Sequence, residues 1–360
     1  MMTHLPQPVT RTLALATICL VTLLSGAAQT IDTEKFEGLK IRSLGPAVMS
    51  GRVTAIAVVR SDPRTIYLGS ASGGLWKSTN GGTDFTPIFD TLEAASIGAV
   101  AVDPTNPDVL WVGTGEGNPR NSQTFGNGVY RSLDGGRTWK HLGLRDSRSI
   151  HRLIIDPANT DVVYAGVLGA SWGAHPERGV FKTTDGGATW KKILYVNDET
   201  GAADLVMDPR NPRKLYAAMW HYRRWAWFMT SGGPGSGLYV TFDGGATWTR
   251  RTEKDGLPKG ELGRIGVAVA PSNPERVYAL VEAKKNALYR SDGNLFHGYS
   301  QPYYYPVRVP PWNQYFPFIL SSSSISSLVR SGSLFSVQRP THCLNIDKFF
   351  CLSSSVSPRY

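Results

Sequence analysis

The sequence predicts an all-β fold, a β-propeller assembled from four-stranded antiparallel blades. Three observations carry that prediction. A unit of strand, turn, strand and Gly-Gly turn recurs, complete four times and in part a fifth. Gly, Pro, Trp and Tyr number 38, 23, 10 and 15 of 360 residues and charged residues only 18%, a balance suited to many short strands and turns. Beyond the N-terminus no long window carries apolar residues at the helical period.

The chain opens on a short polar start with His4 and Arg11. The apolar run Thr12 to Leu24 follows and closes on Ser25-Gly26-Ala27-Ala28-Gln29. That pattern predicts a signal peptide over residues 1–29, and a secreted, periplasmic or cell-envelope location. The run is short for a membrane span, and none is expected after cleavage. Cys19, Cys343 and Cys351 all lie outside the repeats, so disulfides are not expected to hold the fold.

The first half of each unit is an apolar strand, a turn, and a strand bearing an aromatic residue. The turns fall at Asp62-Pro63, Asn106-Pro107, Asn159-Thr160, Asn211-Pro212 and Asn273-Pro274, and the aromatics at Tyr67, Trp111, Tyr164, Tyr216 and Tyr278. Successive turns lie 44, 53, 52 and 62 residues apart. Four strands of about five or six residues plus turns fill about 45 residues, so each period holds one sheet. A single such sheet cannot bury both faces; stacking against neighbours does so, and extra residues become rim loops.

The second half is a strand running into Asn80-Gly81-Gly82, Asp134-Gly135-Gly136, Asp185-Gly186-Gly187 or Asp243-Gly244-Gly245. Gly supplies the positive φ, and the Asp accepts hydrogen bonds from turn amides. Thr138-Trp139, Thr189-Trp190 and Thr247-Trp248 follow, each Trp a plug for the core between sheets. Asp134, Asp185 and Asp243 recur at 51 and 58 residues, so they belong to separate blades and are structural rather than a catalytic pair.

Ser132-Leu133-Asp134-Gly135-Gly136-Arg137-Thr138-Trp139 and its copies resemble the Asp-box (BNR) motif, Ser-x-Asp-x-Gly-x-Thr-Trp. The wider unit, residues 39–293, is similar to sortilin/VPS10-like and sialidase-like propellers. It is also similar to exported bacterial proteins often labelled glycosyl hydrolase. The resemblance is specific for fold and not for function. It implies Asp boxes at the outer blade edge, away from the ligand face, and a longer family form. The propeller is therefore expected to be truncated, with about five blades of seven.

The fifth unit runs from Arg264 to Gly293 and departs at Asn294-Leu295-Phe296. Residues 294–360 then read as a non-repeat tail, with the composition of a shifted reading frame or a disordered extension. Unclosed sheets would leave raw edges that aggregate or pair with another chain.

Function in such a fold sits in rim loops, and three insertions are left over from the repeat. In Gly113 to Ser122, Glu116 and Arg120 read either as a salt bridge closing a tight loop or as ligand contacts. Ser171 to Arg178 brings together Trp172, His175, Glu177 and Arg178, a packed loop or a sugar or peptide site. In Trp220 to Phe228, Arg223, Arg224, Trp225 and Trp227 would form a stacking surface or an inter-blade contact.

Hydrolysis of a glycoside needs two carboxylates facing one bond. Glu116 and Glu177 are the candidates, with Asp204 behind them, and sequence does not pair any two. A sialidase-like site would need converging arginines; Arg52, Arg152 and Arg264 enter inner strands at different offsets, so convergence is not expected. No metal motif and no cofactor motif is present. The formal charge of +10 is scattered rather than blocked, which argues against a nucleic-acid partner. The leading expectation is a non-catalytic exported scaffold binding a protein, peptide or glycan ligand through its loop face. The alternative is a glycoside hydrolase-like enzyme on polysaccharide or sialoside, or an inactive fragment of one.

Overall fold

The computed structural model describes residues 52–293 and 295–299. The predicted signal segment lies outside them, as does all of the predicted tail but its first few residues.

These residues form five antiparallel sheets in sequence order. The first is β1 (Val53–Val58), β2 (Ile66–Ser70), β3 (Leu75–Ser78) and β4 (Thr86–Pro87). The second is β5 (Ile97–Val102), β6 (Leu110–Thr114), β7 (Val129–Ser132) and β8 (Lys140–His141). The third is β9 (Ile150–Ile155), β10 (Val163–Val167), β11 (Gly179–Thr183) and β12 (Lys191–Leu194). The fourth is β13 (Thr200–Asp208), β14 (Asn211–Arg224), β16 (Gly237–Thr241) and β17 (Thr249–Arg251), with β15 (Met229–Ser231) folded back on the end of β14. The fifth is β18 (Ile265–Val269), β19 (Arg276–Val281), β20 (Ala287–Asp292) and β21 (Phe296–Tyr299). Each is a propeller blade, and the described residues contain no α-helix.

The first strands β1, β5, β9, β13 and β18 contact one another in succession and form the inner layer. Register repeats from blade to blade: Ala57, Tyr67 and Lys77 stand in one cross-strand row, and Ala101, Trp111 and Arg131 in the next. Ile154, Tyr164 and Lys182 continue the series, then Ala268, Tyr278 and Arg290. Period-two alternation gives the inner strands β5, β9, β13 and β18 two buried faces, while β1 exposes Val53, Ile56 and Val58. Val100 and Val102 pack on Tyr67, Leu75 and Phe89 of the blade before. Ala101 packs with Trp111 against the blade after.

The Asp boxes tie blades together. In each, Asp accepts from the backbone amide four residues on, as Asp134 Oδ1 does from Thr138 N at 2.9 Å, and its second oxygen takes the Thr hydroxyl at 2.6 Å. Gly136 sits at φ 91, where a Cβ would also strike Ile88 of the preceding blade. Trp139 Nε1 donates to Ile88 O at 2.8 Å, and Trp190 Nε1 to Leu142 O at 2.7 Å, each reaching the blade before. A cation reaches the other way. Lys77 lies over Tyr67 and donates to Gly135 O at 2.8 Å; Lys182 lies over Tyr164 and donates to Gly244 O at 3.0 Å.

This arrangement separates two rims. The Asp-box turns bond to the first turn of their own blade, Gly135 N to Asp108 O and Gly186 N to Asp161 O, and occupy one rim. The loops between second and third strands occupy the other. Residues of the three insertions gather there.

Candidate functional site

The loop between β6 and β7 is the hub of this rim. It starts at Gly115 and receives a bond from every other blade. Arg52, from the start of β1, donates to Glu116 through Nε at 3.0 Å and Nη2 at 2.5 Å. Ser171 of the β10–β11 loop donates to Gln123, and Asn121 Nδ2 donates to Ala226 O of the β14–β15 hairpin at 3.4 Å. Arg264, before β18, donates to Asn118 Oδ1 at 3.2 Å. Glu116 is fully buried; its amide bonds Ser96 Oγ and its carbonyl accepts from Gln123 and Ser149. The expected pairing of Glu116 with Arg120 is therefore corrected. Glu116 pairs with Arg52, because burial demands a cation that can reach inward, while Arg120 stays exposed with no polar partner among the described residues.

Arg52, Arg152 and Arg264 each find a different partner. Arg152 pairs with Asp204 at 2.7 Å, and Asp204 also accepts from Val267 N at 2.9 Å. Arg264 Nη2 lies 3.1 Å from His151 Nε2. A guanidinium only donates, so Nε2 accepts and the imidazole proton sits on Nδ1. Burial first, then Arg152 and Arg264, hold His151 well below its ordinary pKa, so it is neutral. Burial and Arg152 also lower Arg264, to about 10. The β9–β10 and β13–β14 pairings shift register here, at Gly166/Val167 and at Ala202/Asp204, beside Arg152 and Asp204. Gly117 packs flat on His151; a Cβ there would overlap the ring.

The second insertion divides. Arg178 is fully buried and donates to Leu168 O, Ala170 O and Gly173 O of its own loop, with its guanidinium over Tyr222. It shapes the loop from within. Trp172 is exposed, and His175 and Glu177 are half-buried. His175 N bonds Asp198 O at 2.8 Å, which lays this loop beside the β12–β13 connection with Glu199. Glu199, which sequence reasoning did not single out, lies 3.6 Å from His221 Nε2.

The third insertion extends β14 beyond its sheet. Trp220 and Tyr222 are buried and stacked with centroids 4.4 Å apart. Arg224 is buried, and its amide bonds Ser171 O at 2.7 Å. Past it the chain turns outward. Arg223 lies 3.7 Å over the Trp225 ring, Trp225 stacks on Phe228, and Trp227 is 71% exposed. Trp172, Arg120 and Trp227 are thus exposed on rim loops that contact one another across blades 2 to 4, and Trp225 is half-buried between Arg223 and Phe228. Among the described residues no His, Cys, Asp and Glu group could hold a metal, and no helix is long and apolar enough to cross a membrane.

The family described as Sortilin-Vps10, "Sortilin, neurotensin receptor 3", matches residues 127–256. A xyloglucanase of Paenibacillus sp is 28% identical over 247 residues, covering 60% of this chain and 22% of that protein. An oligoxyloglucan-reducing end-specific xyloglucanase of Emericella nidulans is 27% identical over 250 residues, covering 63% and 26%. The chain thus spans about a quarter of the length of these curated relatives. Among solved structures, a Niastella koreensis GH74 enzyme aligns with TM-score 0.52 at 23% identity, covering 68% of this chain and 38% of that one. An ancestral GH74 enzyme aligns with TM-score 0.53 at 21% identity, covering 69% and 31%. These two share the propeller fold. The expectation of a non-catalytic binding scaffold is corrected by the relatives, which are glycosidases. Sequence reasoning leaned away from catalysis because no two carboxylates could be paired along the chain.

Proposed function

We propose that this chain belongs to a glycoside hydrolase-like protein acting on a xyloglucan-type polysaccharide, with the loop rim holding the glycan. The observation that carries the reading is the exposed aromatic strip of Trp172 and Trp227, on rim loops joined by the Arg224 N to Ser171 O bond. Flat aromatic faces stack on the apolar faces of sugar rings, and fixed polar groups orient the chain. The curated xyloglucanases support the substrate class.

Glu116 serves the hub loop in this reading, since its carboxylate is closed off by Arg52. Hydrolysis draws on Glu177 and Glu199, which stand at the rim on neighbouring segments. One protonates the departing glycosidic oxygen, and the other activates water or attacks the anomeric carbon. Export to the cell envelope or medium fits a polymeric substrate. The test is release of reducing sugar from xyloglucan by the full chain and by Glu177→Gln and Glu199→Gln. Loss of hydrolysis in both, with binding retained, supports the assignment. Hydrolysis unchanged in both overturns it, and no hydrolysis or binding by the wild type overturns the glycan reading.

A further inference from the structure

The Gly-Gly turn of blade 1 is wired in reverse. In the Asp boxes of blades 2 to 4 a Thr hydroxyl donates to the Asp four residues earlier, as Thr138 Oγ1 does to Asp134 Oδ2. In blade 1 Asn80 stands at the Asp position and Asp84 at the Thr position. The frame is otherwise kept. Ser78 Oγ donates to Asn80 Oδ1 at 2.9 Å and Asp84 N to the same oxygen at 3.0 Å, as Ser132 and Thr138 do to Asp134. The remaining bond runs backwards, from Asn80 Nδ2 to Asp84 Oδ2 at 2.9 Å. Closure of this turn therefore depends on an amide at position 80.

That amide precedes Gly81. An Asn-Gly pair is chemically labile, because Gly has no Cβ to obstruct attack of its own backbone nitrogen on the Asn side chain. The chain holds two such pairs, Asn80-Gly81 and Asn127-Gly128, in opposite settings. Asn80, Gly81 and Asp84 are exposed, and a Cβ at Gly81 would meet nothing within 4 Å. The attacking nitrogen is held by its bond to Arg64 O, at the surface of the blade. Gly128 is buried, and a Cβ there would strike Gly143 O. The backbone amides of Asn127 and Gly128 both donate to Thr114 Oγ1, and the Asn127 side chain is pinned by Glu93 and Tyr130. Ring closure requires the turn to open locally, which the exposed pair does at lower cost.

We infer that Asn80 is a deamidation site, and that its conversion opens the blade 1 turn. Gly81 N gives up its proton and attacks Cγ of Asn80; the Cγ–Nδ2 bond breaks, and Nδ2 leaves as ammonia with that proton. Water then opens the succinimide ring to an aspartyl or isoaspartyl residue at position 80. The donor to Asp84 is gone, and two carboxylates face each other where an amide met one, so the pair repels. The isoaspartyl product also lengthens the backbone inside the turn.

Peptide mass mapping of the native full chain, held at mildly alkaline pH, tests the site. The peptide containing Asn80 should gain the mass of an amide-to-acid exchange, with the Asn127 peptide lagging several-fold. Urea-denatured chain should convert the two at similar rates, since the fold sets the difference. Equal rates in the native protein, no conversion at Asn80, or the same preference in denatured chain would each overturn it. Urea midpoints at neutral pH test the consequence. Asn80→Asp should unfold at lower urea than the wild type. Asn80→Asp combined with Asp84→Thr, which rebuilds the Thr138–Asp134 arrangement, should recover most of the loss. A single variant as stable as the wild type, or a double variant no better than the single, would overturn the role given to the Asn80–Asp84 bond.

Discussion

Arg264 donates to His151 across 113 positions of sequence, joining the fifth blade to the third at the loop rim. His151 Nδ1 is buried without a partner, so its proton points at packed backbone beside Gly117. Neutral His151 carries a pH dependence. A group whose folded pKa lies below its unfolded value stabilises the fold above the unfolded value and loses that contribution as pH falls. Stability should therefore decline below about pH 6.5. In imidazole NMR spectra His151 should keep neutral shifts at pH 5, and Arg264→Leu should move its titration upward. A normal titration in the wild type would contradict the arrangement.

The Glu116–Arg52 pair should show the asymmetry of a buried charge. Arg52→Ala strands a carboxylate, at a cost of about 2–3 kcal/mol once the 36% exposure of Arg52 is allowed for. Glu116→Gln keeps hydrogen-bonding capacity and should cost about 1 kcal/mol less. Urea midpoints for both variants check the ordering.

Asp-box carboxylates set the response to stronger acid. Hydrogen bonds from the Thr189 hydroxyl and amide hold Asp185 at about 2, and Thr138 and Thr247 hold Asp134 and Asp243 well below the carboxylate range. Their stabilisation is complete above about pH 4 and is lost as pH falls toward 2. Thr189→Val should raise the midpoint of acid unfolding, read by Trp fluorescence; its stability deficit should be full at pH 9 and shrink as pH falls from about 4 toward 2.

Equivalent plugs should respond alike. Trp139→Ala and Trp190→Ala each remove a ring packed on the preceding blade and a bond to its carbonyl, so each should cost about 3 kcal/mol by chemical denaturation. Lys182→Met keeps much of the stem over Tyr164 and forfeits the bond to Gly244, about 1 kcal/mol. Widely different costs at Trp139 and Trp190 would argue against equivalent blades.

The fold was legible because its rules are local. Gly135-Gly136 needs positive φ, Trp139 needs a cavity, and Tyr67, Trp111 and Tyr164 recur at the same row of successive sheets. The fifth blade's outer strand, Phe296–Tyr299, lies past the point where the repeat motif fades, since a strand edge requires only backbone pairing with β20. The rim was less legible. Glu116 with Arg52, Arg264 with His151, and His175 bonded to Asp198 depend on how the loops converge, and no sequence period encodes that.

The central claim is that the aromatic strip on the loop rim grips a polysaccharide. Calorimetric titration of xyloglucan oligosaccharides into the wild type and Trp227→Ala tests it most directly. The claim predicts saturable binding that weakens about tenfold, some 1.4 kcal/mol, when the Trp227 ring is removed. Equal affinity in the two proteins, or no binding by the wild type, would contradict it.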